Sequence, residues 1–209
     1  HHQPRRQRQM CIRDRPTIDQ KMTQARKLFL LLLCLAVGQV LVAQTTYSTV
    51  QSGFWNDASI WDANGIPPNP IPANATVEIN QNHTIQEHPS TGLSKTNYGT
   101  ININDDALLV IYLDFDNYGT IDAKGGPTYS EFRIVLPSFN NKAGGVLQTS
   151  GSNASVTLWS AAVLNNEVGG LIDIGPDGRL SLTFNSNSIL NNAGIINLGS
   201  TTGVGHSSY

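Results

Sequence analysis

The chain has 209 residues, with 13 Lys and Arg against 15 Asp and Glu, and two cysteines. The first 43 residues hold eight of the basic groups, two of the acidic ones and both cysteines, so the remaining 166 carry five basic and 13 acidic side chains, a net charge of about −8. Such an acidic surface repels phosphate backbones and excludes nucleic acid as a partner, and the lack of cysteine excludes disulfides and thiol chemistry.

Residues 1–21 are an Arg-dense polar leader with neither helical nor strand period. The run Met10-Cys11-Ile12-Arg13-Asp14-Arg15 resembles translated adapter sequence, so this stretch is expected to be non-native. Residues 22–43 read as a secretory signal, with Arg26-Lys27 as its positive start, Leu28 to Val37 as its apolar centre and Leu41-Val42-Ala43 as its cleavage site. Gly38-Gln39 interrupts the apolar stretch short of the roughly 18 to 20 residues that a spanning helix needs. The expectation is a secreted or cell-surface protein with no transmembrane segment after signal cleavage.

Segment 44–96 is expected to be an N-terminal cap. It carries two of the three tryptophans in Ser52-Gly53-Phe54-Trp55-Asn56-Asp57-Ala58-Ser59-Ile60-Trp61, then the loop Pro67-Pro68-Asn69-Pro70-Ile71-Pro72, then a strand ending in Asn82-His83-Thr84-Ile85. Trp55 and Trp61 have two readings: a ligand-binding platform that stacks on sugar rings, or a cover packed over the open first rung of a coiled sheet. His83 falls at an outward strand position and reads as solvated rather than metal-bound. This order of Gly-x-Trp, second Trp, proline loop and strand resembles the G8 domain that opens large secreted surface proteins of bacteria. The resemblance covers roughly residues 47–88 and implies the start of a right-handed β-helix in an exported, adhesin-like protein. Related modules also occur in proteins that act on polysaccharides.

Further along, alternating apolar and polar residues predict strands over Thr76–Asn80, Thr100–Asn104, Leu171–Ile174, Arg179–Phe184 and Ile195–Leu198. Asn-Asn, Gly-Gly, Asn-Tyr-Gly and Gly175-Pro176-Asp177-Gly178 stand between strands as corners. The densest acidic stretch is Asp105-Asp106 with Asp114-Phe115-Asp116. Asp114 and Asp116 alternate with Phe115, so they are either solvated corner residues or ligands of a calcium ion. No other cofactor is expected. A lyase would also need a grouped base, yet Lys95, Lys124, Arg133, Lys142 and Arg179 are scattered, and no nucleophile or P-loop pattern occurs, so no catalytic residue is assigned.

From 97 to 209 the chain repeats. Phe139-Asn140-Asn141, Leu164-Asn165-Asn166 and Leu190-Asn191-Asn192 recur with following glycines, and Asn97-Tyr98-Gly99 and Asn117-Tyr118-Gly119 are shorter copies. An antiparallel sandwich would explain the turns but not the long-range copies. A right-handed parallel β-helix explains both, with coils of about 20–26 residues that lay like residues on like. Asn140, Asn141, Asn165, Asn166, Asn191 and Asn192 would then form a turn ladder of side-chain amides. Gly203 to Tyr209 supply no closing element, so a fragment of something longer is expected, prone to associate through its end rung. The function expected is a non-catalytic scaffold for adhesion or glycan binding, with glycans or cell-surface components as partners. The alternative is the front part of a polysaccharide-degrading enzyme whose catalytic residues lie beyond residue 209; a ligand-free spacer is a third reading.

Overall fold

A computed structural model describes residues 43–87, 94–135, 138–182 and 187–199. The expected leader, all of the expected signal segment but Ala43, and residues 200–209 lie outside these. Within them the chain forms eighteen short strands, numbered in chain order, in three sheets. The first sheet stacks β1 (Thr45–Ser48), β3 (Ala75–Ile79), β6 (Thr100–Ile103), β9 (Thr120–Lys124), β12 (Val146–Ser150), β15 (Leu171–Ile174) and β18 (Ile195–Leu198). The second stacks β2 (Gly53–Phe54), β4 (Thr84–Gln86), β7 (Leu108–Ile111), β10 (Ser130–Ile134), β13 (Ala154–Leu158) and β16 (Arg179–Leu182). The third stacks β5 (Lys95–Asn97), β8 (Phe115–Asn117), β11 (Ser138–Asn141), β14 (Val163–Asn166) and β17 (Ile189–Asn192).

Each strand pairs in parallel with its counterpart one turn away, never with its chain neighbour. This is a right-handed parallel β-helix of five complete coils, and it disposes of the antiparallel sandwich. Successive coils are offset by 20, 24, 25 and 26 residues at the corner asparagines. The opening turn is longer: Thr45 stands in register with Ala75, 30 residues on, because this turn holds the tryptophans and the proline loop. Even here the coil rule applies, since Ile71 bridges in parallel to Asn97 at the place where later coils lay a third-sheet strand.

Alternation within each strand sends one set of side chains inward, where equal positions stack on one another. Val77, Ile101, Ile121, Leu147 and Ile172 form one such column, and all five are fully buried. Phe115 and Phe139 stack at 5.6 Å in the third sheet, and Phe132 meets Phe139 edge to face at 5.3 Å. Each such aliphatic or aromatic side chain contributes about 1.5–3 kcal/mol by leaving water.

Candidate functional site

Trp55 and Trp61 are 2% and 4% exposed. Their rings meet edge to face at 5.0 Å, and Trp61 Nε1 donates to the Trp55 carbonyl at 2.8 Å. Lys95 Nζ lies 5.2 Å from the centre of the Trp55 ring. Of the two readings of this pair, the burial agrees with the cover: both indoles pack inside the opening turn, where each ring buries roughly 200 Å². His83 departs from its solvated reading. It is half-buried, with Nδ1 2.7 Å from the Thr49 hydroxyl.

Asp114 accepts a hydrogen bond from the Ser138 hydroxyl one coil along. Asp116 accepts from the Asn140 amide at 2.8 Å and lies 3.7 Å from Lys142 Nζ. Both carboxylates stitch neighbouring coils, and among the described residues no three His, Cys, Asp or Glu side chains converge. Asp105 sits at a different corner, where it accepts from the backbone N–H and hydroxyl of Thr128 at 3.1 and 2.8 Å.

The corner asparagines form two ladders. The inner one links Asn97, Asn117, Asn141, Asn166 and Asn192, each Nδ2 donating to the next Oδ1 at 2.7–2.9 Å. The first four are almost fully buried, which is tolerable because every amide also bonds backbone groups; Asn141 donates to the carbonyls of Gly145 and Leu171. The outer ladder runs the opposite way: Asn191 donates to Asn165, Asn165 to Asn140 and Asn140 to Asp116. Asp116 can only accept when ionised, and that orients every amide above it.

The residues best placed to meet a ligand lie on the outward face of the second sheet. Glu131 and Arg133 of β10 lie opposite in parity to the inward Phe132 and Ile134, with Tyr129 just before the strand; one coil on, Ser155 and Thr157 of β13 stack on them and Trp159 follows the strand, Glu131, Ser155 and Thr157 being covered by their neighbours. Arg133 grips Glu131 with two hydrogen bonds, Nε to Oε1 at 2.9 Å and Nη2 to Oε2 at 2.6 Å. This bond holds the guanidinium pKa above its usual value, with burial opposing and Tyr129 and Tyr112 adding a smaller effect in the same direction. The Arg133 guanidinium lies 4.8 Å from the Trp159 ring centre. Trp159 remains 40% exposed and Tyr129 46%, and the Tyr129 hydroxyl is pinned to Ser155 Oγ.

This arrangement is an aromatic and polar surface on which Arg133 and Glu131 neutralise each other, and the exposed Arg179, in register with Ser155 one coil on, adds one positive charge. The sequence expectations did not include it. Its signal was nonetheless present: Tyr-x-Glu-x-Arg and Ser-x-Thr-x-Trp share the period of two that puts all six on one side. A second aromatic pair, Tyr98 and Tyr118, stacks at 5.0 Å on an exposed corner, but each ring spends one face on the other. In comparisons with known proteins, the chain matches no family model, no curated protein and no solved structure.

Proposed function

We propose that this chain is a non-catalytic β-helical scaffold of a secreted surface protein, and that it binds neutral glycans through the outward face of the second sheet in the service of adhesion. The observation that carries the reading is the exposed Trp159 indole, backed by an Arg133 that is itself clamped to Glu131. The C–H face of a sugar ring stacks on an indole, and the partly exposed Arg133 guanidinium beside it can donate to sugar hydroxyls. Arg133 is already paired with Glu131, and Arg179, the other cation in register on this face among the described residues, stands beside Ser155 rather than Trp159, so the aromatic ring has no cluster of cations around it, which favours neutral over anionic chains. The export signal read in residues 22–43 and the acidic surface agree with work outside the cell.

The test is a glycan array with the full chain and with Trp159→Ala, checked for folding by circular dichroism. Neutral oligosaccharides are expected to bind the parent and to lose at least about tenfold in affinity in the variant, roughly 1.4 kcal/mol. Equal binding by both proteins would sink the assignment of the site, and no binding by the parent to any neutral glycan would sink the function.

A further inference from the structure

The first complete coil puts two charged side chains where later coils have apolar ones. Glu87 follows Gln86, which pairs with Val110, so Glu87 occupies the inward column of Ile111, Ile134 and Leu158. Lys95 pairs with Phe115 and occupies the inward column of Phe139 and Leu164. Glu87 is 2% exposed and Lys95 9%. Both Glu87 carboxylate oxygens are buried without a well-formed hydrogen bond. Among the described residues, the Lys95 ammonium and the backbone N–H groups of Tyr112 and Leu113 favour their charge.

The surroundings of the pair are otherwise uncharged among the described residues. The opening turn presents Trp55, whose backbone N–H donates to the Gln86 carbonyl at 2.8 Å, and Trp61 packed against it. The second coil presents Ile111 and Phe115. Asp114 meets Lys95 through its backbone carbonyl alone, which accepts the Lys95 N–H at 3.0 Å, while the Asp114 and Asp116 side chains bond outward to Ser138 and Asn140.

We propose that Glu87 and Lys95 form a pH-sensitive latch that fastens the tryptophan-bearing opening turn to the first coil, tight when Glu87 is protonated and loosened when it is ionised. A neutral carboxyl is tolerated in this apolar column, whereas a carboxylate there lacks the hydrogen bonds that water would give it. Burial pushes the Glu87 carboxyl up to about 7, and Lys95 offsets only part of that. Opening of the turn returns the group toward its ordinary value of 4.5. The closed state therefore holds its proton to higher pH than the open one, so the latch is strongest below about 4.5 and weakens progressively as the pH rises to about 7.

Hydrogen exchange of the full chain tests this, with protection of the segment 53–61 taken relative to β12–β15 in the same molecule so that the intrinsic pH dependence of exchange cancels. The expected result is a relative protection that falls at least about tenfold between about pH 5 and pH 8 in the parent and stays flat in Glu87→Gln. Lys95→Met, which removes the compensating cation, should move the midpoint to higher pH and serves if the glutamine variant does not fold. A parent ratio that is constant with pH, a Glu87→Gln profile like that of the parent, or an unmoved midpoint in Lys95→Met would each overturn the latch.

Discussion

A Cβ added to Gly119 would lie 2.1 Å from the carbonyl oxygen of Gly99, one coil below, so no side chain fits where these two corners meet. Gly119→Ala must push the coils apart and is expected to cost about 2–3 kcal/mol in denaturant unfolding, even though alanine is the smallest replacement. The tryptophans separate packing from display in the same assay. Trp55→Ala should cost about 3–5 kcal/mol, whereas Trp159→Ala should cost less than about 1 kcal/mol while removing glycan binding. The double change Glu87→Leu with Lys95→Leu, which restores the apolar character of both columns, should raise stability at about pH 8 by about 1–3 kcal/mol and by less at about pH 5, where the parent carboxyl is already largely neutral. These are also the residues where the sequence was hardest to read. Trp55 and Trp61 sit near each other in sequence, while the outward tryptophan, Trp159, lies beside Arg133 only through a coil register that no local window contains. Glu87 and Lys95 violate the rule that inward positions are apolar, so alternation alone assigns them outward.

At the scale of the strand and its corner, the asparagine ladders follow the same logic of satisfied burial. Asn141 is central to the inner ladder, and Asn141→Leu would leave the amide of Asn117 without its acceptor and the carbonyl oxygen of Asn166 without its donor. The Asn117 amide keeps its other bonds, to the Gly119 and Val146 carbonyls, so a loss of about 1–3 kcal/mol is expected in thermal or denaturant unfolding, against less than about 1 kcal/mol for Asn191→Leu at the exposed end of the outer ladder. A related device runs along the first sheet, where Glu78, Asn102, Asp122, Gln148, Asp173 and Asn197 alternate acid with amide in one outward column. Asn102 donates to Glu78 at 2.6 Å. Asn102→Asp would stack three carboxylates a strand spacing apart, and the variant should lose stability at neutral pH and recover it as the pH falls through the carboxylate range. The repeated Asn-Asn pairs made a ladder legible from sequence, because solenoids set like on like. What remained hidden was that Asn97 and Asn117 start the inner ladder and Asp116 ends the outer one, since the shorter coils shift the spacing and the partner of Asn140 is a different residue type.

For the molecule as a whole, coils contact only their neighbours, so stability should vary along the axis. Amide protection is expected to be highest in β9–β14 and lowest in β16–β18, where Leu182, Ile195 and Leu198 are more than half exposed; uniform protection would contradict this. The same modularity makes a coil removable. Deleting residues 142–166, a span equal to the 25-residue offset from Asn141 to Asn166, joins Asn141 to Glu167 and leaves every corner its glycine. The shortened chain should retain a β-rich circular dichroism spectrum with a lower midpoint of unfolding, whereas a deletion of half that length should not fold.

The opposed senses of the two ladders give the stack a grammar. At its last described coil the inner ladder closes on the Asn192 amide and the outer ladder begins from Asn191, so the edge carries the two partners of a further Asn-Asn corner side by side, one to give and one to receive. A tandem copy of an existing coil answers both at once, while an unrelated insertion answers neither. Lengthening by duplication is therefore the path of least chemical resistance for this architecture, and each added turn arrives already spelled to accept the next.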